Sequence, residues 1–315
     1  MKKFLLFASA FAGLFLAASC QQETLETYGE GIVTFSVTAP GELDTRAIAD
    51  GENVNEVHYA VYKTDSGVAN SLDNPDEKPL AQGYVPMSNK KATLELDLLQ
   101  DQNYTILFWA QVAGKGHYVL GDLREVKVAS ATVNANDESR AAFFRRYDFN
   151  TTTKQNYEVE LYRPFAQINL GTTLASLNPV QQGQQQGYSI DVQESEMVVK
   201  GIASSFSLVT GEGKDEAVDF TFNSQPTPAK SSETLVVNNI EYHYVAMNYL
   251  LIPVLDKNVT VSYKITTDKG VVENTINNVP VKENYRTNII GNLLTSKTEF
   301  EIIVDEKFEK PDLEA

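Results

Sequence analysis

Short runs of alternating apolar and polar residues recur along nearly the whole chain, and they limit its possible folds more than any other feature. They come about every 8 to 12 residues and are separated by Gly, Pro, Asn and Asp, a spacing typical of β-sandwiches. Tyr and Phe, 15 of each, add β-favouring side chains, and only short stretches repeat at helical spacing. The sequence therefore predicts an all-β protein.

The predicted strands fall into two sets, on either side of residues 134–156, where the alternation stops and residues 141–144 suit a helical turn. The first set comprises residues 32–39, 54–63, 92–98, 103–112 and 124–129. The second set comprises residues 157–162, 165–170, 189–192, 198–208, 218–222, 234–237, 242–252, 259–266, 270–276 and 286–294. A chain of 315 residues is long enough for two domains. We therefore expect an N-terminal β-sandwich at 47–153 and a C-terminal one at 154–296.

The charge balance excludes one class of partner. Asp and Glu number 42 against 26 Lys and Arg, which gives a net charge of −16. A phosphate backbone would repel such a protein. We therefore predict no nucleic-acid partner.

The N-terminus has the features of a bacterial signal peptide: two lysines, then an apolar run over residues 4–18 that is too short to span a bilayer comfortably. Cys20 is the only cysteine in the chain, and it follows two small residues, as in a lipobox. We predict a lipoprotein signal peptide at 1–20, with Cys20 carrying acyl chains such as palmitate that hold the protein at the outer membrane. The alternative is an unmodified cysteine beside a cleaved signal.

Sequence motifs of catalysis are absent: the chain has no G-x-S-x-G elbow, no phosphate-binding glycine loop and no H-E-x-x-H. The three histidines, His58, His117 and His243, lie in separate segments without a second ligand at metal spacing. We expect no enzyme activity, metal or cofactor. A catalytic pair of carboxylates brought together by folding is the alternative that the sequence leaves open. Trp109 could stack on a sugar, but its run is apolar on both faces, which favours burial.

The two ends of the chain share one pattern of three apolar side chains at alternate positions. In the first strand these are Val33, Phe35 and Val37. In the tail they are Phe300, Ile302 and Val304. Burying three such side chains stabilises a domain by roughly 5 to 9 kcal/mol, comparable to the whole stability of about 5 to 15 kcal/mol that a domain has. Loss of the first strand would therefore leave an apolar groove that has to be refilled.

Arg46 offers a way to lose that strand. It lies in the loop that follows, beside the small residues Thr45 and Ala47 and ahead of an Asp50-Gly51 turn, which suits a trypsin-like protease. Residues 21–46 would then be a tether and a removable strand. The C-terminus of another copy could fill the groove by β-augmentation, and such a head-to-tail contact need not close. The alternative is that the first strand is permanent, that Arg46 is an ordinary loop residue and that the tail belongs to its own domain. On physical grounds alone the two accounts are equally acceptable.

Six segments, spread over nearly the whole chain, carry a family resemblance. They are LAASC at 16–20, TRA at 45–47, LFWAQ at 107–111, RPFAQINLGT at 163–172, YVAMNYLLIP at 244–253 and ENYRTNIIGNLLT at 283–295. In these segments the chain resembles the fimbrillin family, the lipoprotein pilin subunits of type V pili from Gram-negative anaerobes. None of the segments is catalytic.

The resemblance implies two transthyretin-like β-sandwich domains in tandem and delivery to the cell surface as a lipoprotein. It also implies removal of the first strand by an arginine-specific surface protease and polymerisation with other pilin copies into a fimbria that supports adhesion. Cys20 would be the acyl acceptor and Arg46-Ala47 the cleavage site. Residues 297–315 would be the donor strand and tail, with Phe300, Ile302 and Val304 as the inserted side chains.

Three alternatives stay open. The chain could be an outer-surface lipoprotein that binds glycan and never polymerises, and such a protein would expose clustered aromatic side chains. It could be a pilus anchor or tip subunit, since an anchor keeps its first strand and a tip subunit has a groove but no donor strand. A surface hydrolase would need convergent carboxylates in a cleft.

Overall fold

The computed structural model describes residues 30–40, 51–64, 72–152, 155–178, 189–214, 218–227, 234–253, 255–294 and 299–305. Regular structure in these ranges is almost entirely β-strand, which confirms the predicted all-β fold class. In chain order the strands are β1 (Glu30–Thr38), β2 (Glu56–Lys63), β3 (Ala81–Pro86), β4 (Lys91–Leu99), β5 (Asn103–Gln111), β6 (Tyr118–Val119), β7 (Glu125–Val128), β8 (Thr132–Asn134), β9 (Ala142–Asn150), β10 (Asn156–Glu160), β11 (Ala166–Thr173), β12 (Val192–Ile202), β13 (Ser205–Ser207), β14 (Glu212–Lys214), β15 (Val218–Pro226), β16 (Thr234–Val237), β17 (Ile240–Leu250), β18 (Asp256–Thr267), β19 (Gly270–Lys282), β20 (Arg286–Asn292) and β21 (Glu299–Asp305).

Helical structure in the described ranges is limited to a 3₁₀ turn at Glu138–Arg140 and one short α-helix, α1 (Leu174–Leu177). In the part of the chain that the structure describes, no helix has the length and apolar character needed to cross a bilayer.

Two sheets in the first half of the chain share one hydrophobic core. A three-stranded sheet has the order β10-β1-β4, and a four-stranded sheet has the order β3-β2-β5-β9. The first core contains buried side chains from both sheets, such as Phe35 of β1 and Phe108 of β5. The alternation along β1 and β4 arises because each strand turns one face to this core and the other to solvent.

Two five-stranded sheets enclose a second core. Their strand orders are β16-β17-β11-β20-β21 and β19-β18-β12-β15-β8. Ile168 of β11, in one sheet, and Met197 of β12, in the other, both belong to this core. The sheet that contains β11 is covered on both faces, because Ile289 belongs to the second core while the next residue, Ile290, belongs to the first.

Strand pairing crosses the predicted boundary between residues 153 and 154 in three places. β10 follows the boundary in sequence but pairs with β1, and β8 precedes it but pairs with β15. The fifth sheet, β14-β13-β7-β6, takes two strands from each side. The tandem arrangement of two transthyretin-like domains therefore stays a prediction, and the two halves of the chain are joined by shared sheets.

The helical turn predicted at residues 141–144 is wrong. Ala142, Phe143 and Phe144 open β9, which pairs with β5 along its whole length. These three residues are all buried, and all three belong to the first core. Phe144 packs edge-on against Phe206, with 4.5 Å between the ring centroids. The first three residues of β9 are therefore covered on both faces, and a stretch buried on both faces shows no alternation in its sequence.

The predicted burial of Trp109 is confirmed, since its side chain is completely enclosed in the middle of β5. Its indole Nε1 donates to Oε1 of Gln111 at 3.1 Å, so the polar atom of this buried ring has a partner.

Candidate functional site

The candidate site is the slot that β1 fills. β1 pairs with β4 in the antiparallel sense from Glu30–Leu99 to Thr38–Lys91, and with β10 in the parallel sense from Thr34–Asn156 to Thr38–Glu160. It is the middle strand of its sheet, and neither β4 nor β10 pairs with another strand along its length in the described residues. Among the described strands, β1 is therefore the one that connects β4 with β10.

The inner face of β1 is completely buried. Val33, Phe35 and Val37 have exposed fractions of 0%. The ring of Phe35 lies 5.8 Å from that of Phe108, 5.0 Å from that of Phe149 and 5.3 Å from that of Tyr157, measured between centroids. These three rings form an aromatic box around Phe35, in the stacked and edge-on geometries that aromatic pairs prefer.

The strands beside β1 complete the apolar walls of the slot. On β4 every second side chain is buried, and these are Ala92, Leu94, Leu96 and Leu98. On β10 the buried side chains are Tyr157 and Val159. The slot therefore accepts an extended segment with apolar side chains at alternate positions, and it offers backbone hydrogen bonds on both sides.

The predicted lipidation residue Cys20 and the predicted cleavage residues Arg46 and Ala47 lie outside the described residues. The chain on the far side of the predicted cut is firmly held. Gly51 has a positive φ of 79° and lies against the ring of Phe143, so a side chain at this position would collide with that ring. Cleavage after Arg46 would leave this anchoring downstream of the cut intact.

The predicted donor strand is β21, at the edge of the sheet β16-β17-β11-β20-β21. Among the described strands it pairs with β20 alone, with Phe300 opposite Gly291, Ile302 opposite Ile289 and Val304 opposite Thr287. Phe300 is 39% exposed, and Ile302 and Val304 are half-buried. Within one chain β1 and β21 lie in different sheets, so the structure does not bring the two predicted groups of residues together.

A histidine, a serine and an aspartate meet at the 3₁₀ turn but do not form a catalytic triad. His117 Nε2 lies 2.8 Å from Ser139 Oγ and 3.4 Å from Asp137 Oδ2. The Ser139 hydroxyl donates to Asp137 Oδ1 at 2.5 Å, so its proton points to the carboxylate, and the carboxylate contacts the same ring nitrogen as the serine. In a triad the acid holds the opposite nitrogen. Burial, together with the nearby charge of Arg140, lowers the pKa of His117.

The other histidines give no metal site. His58 Nε2 donates to Glu56 Oε1 at 2.8 Å on β2. Across the residues that the structure describes, no three His, Cys, Asp or Glu side chains are placed to hold a metal ion.

One carboxyl group, which lies outside the slot, has a strongly shifted pKa. Burial raises the pKa of Glu283 to about 8, and the nearby carboxylate of Glu212 adds to the effect. Glu283 lies in the turn between β19 and β20, whereas Glu212 begins β14 in the sheet shared by both halves. The contact of the shared sheet with this turn therefore places two acidic side chains close together.

These features define the class of the protein: an all-β protein of packed sheets in which β1 fills an apolar slot between β4 and β10, and neither of these pairs with another of the described strands. The chain belongs to a family of unknown function, DUF6562, whose model matches residues 25–315. A search of curated proteins finds no match.

Several solved structures are similar over most of the chain. A candidate adhesin from Bacteroides thetaiotaomicron has a TM-score of 0.50 at 12% identity, covering 88% of this chain and 97% of that one. A candidate polysaccharide-binding protein from the same species has a TM-score of 0.47 at 13% identity, covering 87% and 96%. A fimbrial assembly protein from Parabacteroides distasonis has a TM-score of 0.44 at 14% identity, covering 87% and 95%. The first of these supports a shared fold along nearly the whole chain.

Proposed function

We propose that this protein is a structural subunit of a surface fimbria, exported as a lipoprotein through Cys20, cut after Arg46 and polymerised by strand exchange. The observation that carries the proposal is the position of β1: it is the middle strand of its sheet, its inner face is completely buried, and it precedes the candidate cleavage loop. The resemblance to fimbrillins and the fold shared with a candidate adhesin point to the same role in surface adhesion.

The energetics favour exchange once β1 is gone. Among the described residues β21 pairs along one edge only; Phe300 is exposed, and Ile302 and Val304 are half-buried. In the vacated slot of another copy the same strand would pair on both sides and bury Phe300, Ile302 and Val304 fully. Apolar burial is favourable by roughly 25 cal/mol per Å². Edge strands are also the elements that pair most readily with another chain.

The test begins with cleavage. An arginine-specific protease is added to the purified chain, and the products are followed by N-terminal sequencing and by size-exclusion chromatography with light scattering. The expected result is a new N-terminus at Ala47 and a ladder of oligomers, whereas Arg46→Ala gives neither. A ladder of equal yield from Arg46→Ala would overturn the proposed processing.

The role of β21 is tested with a matched pair of variants on its two faces. Ile302→Asp puts a charge on the face that would enter the slot, and we expect it to be cut normally but to stay monomeric. Glu301→Ala, an exposed residue on the opposite face, should assemble like the wild type. Assembly of the Ile302→Asp protein at wild-type yield would remove β21 from the mechanism.

A further inference from the structure

The edge strand β3 carries the most exposed large hydrophobic side chain in the described residues, Tyr84, which is 67% exposed. Leu80, which precedes the strand and is four residues from Tyr84 in sequence, is 60% exposed. β3 lies at the end of its sheet, where β2 is its only neighbour among the described strands. Large apolar side chains that cluster on a surface mark interaction sites more often than isolated ones do.

Polar groups lie directly beside the tyrosine. His58 on β2 is opposite Tyr84, and the two rings are 5.6 Å apart between centroids. The Nε2 of His58 donates to Oε1 of Glu56 at 2.8 Å. The same Oε1 accepts from Nε2 of Gln111 at 2.8 Å. We call Tyr84, His58 and Glu56 the Tyr84 patch.

Hydrogen bonds to residues beneath the sheet surface hold the side chains of the Tyr84 patch in place. Gln111, which donates to Glu56, accepts from the Nε1 of the completely buried Trp109 at 3.1 Å. The side chains of His58 and Glu56 are only 22% and 16% exposed, so their positions are set by packing. A site whose hydrogen-bonding groups are held in advance loses less entropy when a ligand binds.

Both hydrogen bonds to Glu56 end on Oε1, and the His58 bond uses Nε2. Within the described residues, Oε2 of Glu56, Nδ1 of His58 and the hydroxyl of Tyr84 have no hydrogen-bond partner. A carboxylate accepts only, and since Nε2 of His58 donates, its Nδ1 accepts in the neutral ring. The patch therefore offers two acceptors and a hydroxyl next to a flat apolar ring.

We propose that the Tyr84 patch binds uncharged glycans, with a sugar ring stacked on Tyr84 and its hydroxyl groups donating to Glu56 and His58. A pyranose has an apolar face for the ring and adjacent hydroxyl donors for the two acceptors. The carboxylate of Glu56 and the net charge of −16 disfavour sialylated or sulfated glycans. The arrangement consists of side chains on the sheet face, which suits a ligand lying on that face better than a peptide strand added along the edge.

The test uses the uncut monomer, residues 21–315, so that it is independent of the proposed polymerisation. The protein is screened on immobilised neutral oligosaccharides with gluco-, galacto-, manno- and N-acetyllactosamine-type repeats, beside sialyllactose and heparin. The best neutral ligand is then titrated by calorimetry, and its contact with the protein is followed by saturation-transfer NMR. We expect binding to at least one neutral oligosaccharide and none to the anionic ones.

Variants locate the site. Tyr84→Ala should weaken binding about tenfold or more, Tyr84→Phe should keep most of the affinity, and Glu56→Gln should weaken it several-fold. Leu255→Ala is the matched control, because Leu255 is 61% exposed and lies outside the patch. Thermal melts of each variant separate lost binding from lost folding.

Three outcomes would overturn the proposal: no neutral glycan bound at millimolar concentration, binding that Tyr84→Ala leaves unchanged, or capture of a second copy along β3 in place of glycan. Glycan binding by a protein that fails to polymerise would refute only the fimbrial role. Polymerisation without glycan binding would refute only the Tyr84 patch.

Discussion

Phe35 is the side chain on which the slot depends most. It is completely buried and contacts three aromatic rings, so Phe35→Ala should leave a large cavity. We expect it to lower the free energy of unfolding by about 3–5 kcal/mol, measured by urea denaturation. Ser36→Ala, an exposed neighbour on the same strand, should change it by less than about 0.5 kcal/mol. Equal effects of the two changes would mean that β1 is dispensable.

Glu283 gives the protein a pH dependence of predictable sign. Its pKa is about 8 in the folded protein against 4.5 for a free side chain, so between these values the folded state holds a proton that the unfolded state has lost. The contribution of this proton to the free energy of unfolding is therefore fully present below pH 4.5, and it is lost as the pH rises from 4.5 through 8. In the half-buried position of Glu283, solvent screening reduces the effect to about 1–3 kcal/mol.

Glu283→Gln should remove this dependence. Urea denaturation between pH 5 and pH 9 should show the variant to be more stable than the wild type at the alkaline end. Glu273→Gln, which changes an exposed carboxyl on β19, serves as the control. Parallel pH curves for wild type and Glu283→Gln would contradict the assignment.

At the scale of single elements, the short strand β14 is set by a close backbone contact. A Cβ at Gly213 would collide with the backbone carbonyl oxygen of Ile252, which cannot move aside as the end of a side chain can. Gly213→Ala should therefore destabilise the protein by about 2 kcal/mol or more, measured by thermal and urea denaturation.

Gly31→Ala is the matched control for this change. Both glycines lie in strands, but the atoms near a Cβ at Gly31 belong to the flexible side chain of Gln100, which can turn away. A cost for Gly213→Ala no larger than that for Gly31→Ala would mean that β14 shifts freely on its neighbour.

How far the sequence predicts these elements depends on what covers each strand. β1 has one face on the core and one toward solvent, so the alternation of Val33, Phe35 and Val37 predicts both the strand and the face that is buried. β9 is buried on both faces over its first three residues, and β3 contains Gly83 and ends in Pro86, so the alternation predicts neither strand. The Tyr84 patch could not be predicted for the same reason, because it depends on β3.

The position of β1 between β4 and β10 has no local signal either. Periodicity predicts which face of a strand is buried, but not which strands become its neighbours. The pairing of β1 with β10 joins distant parts of the chain, and it depends on packing over the whole first core. The sequence therefore predicts the apolar side chains that β1 places in the slot, but it does not predict that β4 and β10 form the two walls.

At the scale of the whole molecule, Asn136 fastens the two halves of the chain. Its side chain donates to Ser195 Oγ and to the carbonyl of Pro226 at 2.9 and 3.0 Å, and it accepts from the backbone N–H of Met247 at 3.0 Å. Its backbone N–H donates to Asn248 Oδ1 at 3.2 Å. Its positive φ of 58° is one that asparagine tolerates better than most residues.

Since strands are shared between the halves, we expect one cooperative transition in scanning calorimetry of the wild type. Asn136→Ala should leave the N–H of Met247 unpaired and cost about 2–4 kcal/mol. It should also broaden or split the transition. Thr132→Ala, at an exposed position nearby on β8, should leave a single sharp transition. Two separate transitions in the wild type would mean that the halves unfold independently.

The parallel pairing of β1 with β10 also has a consequence for biosynthesis. Thr38 contacts the backbone of Val159 across 121 residues of sequence, so the strand that leaves the ribosome early cannot be paired on both sides until the middle of the chain has been made. Contacts of such long range slow folding and leave unsatisfied strands exposed in the meantime. Until β10 has been synthesised, one edge of β1 therefore has no partner, and a chaperone that shields this edge during synthesis should reduce aggregation of the nascent chain.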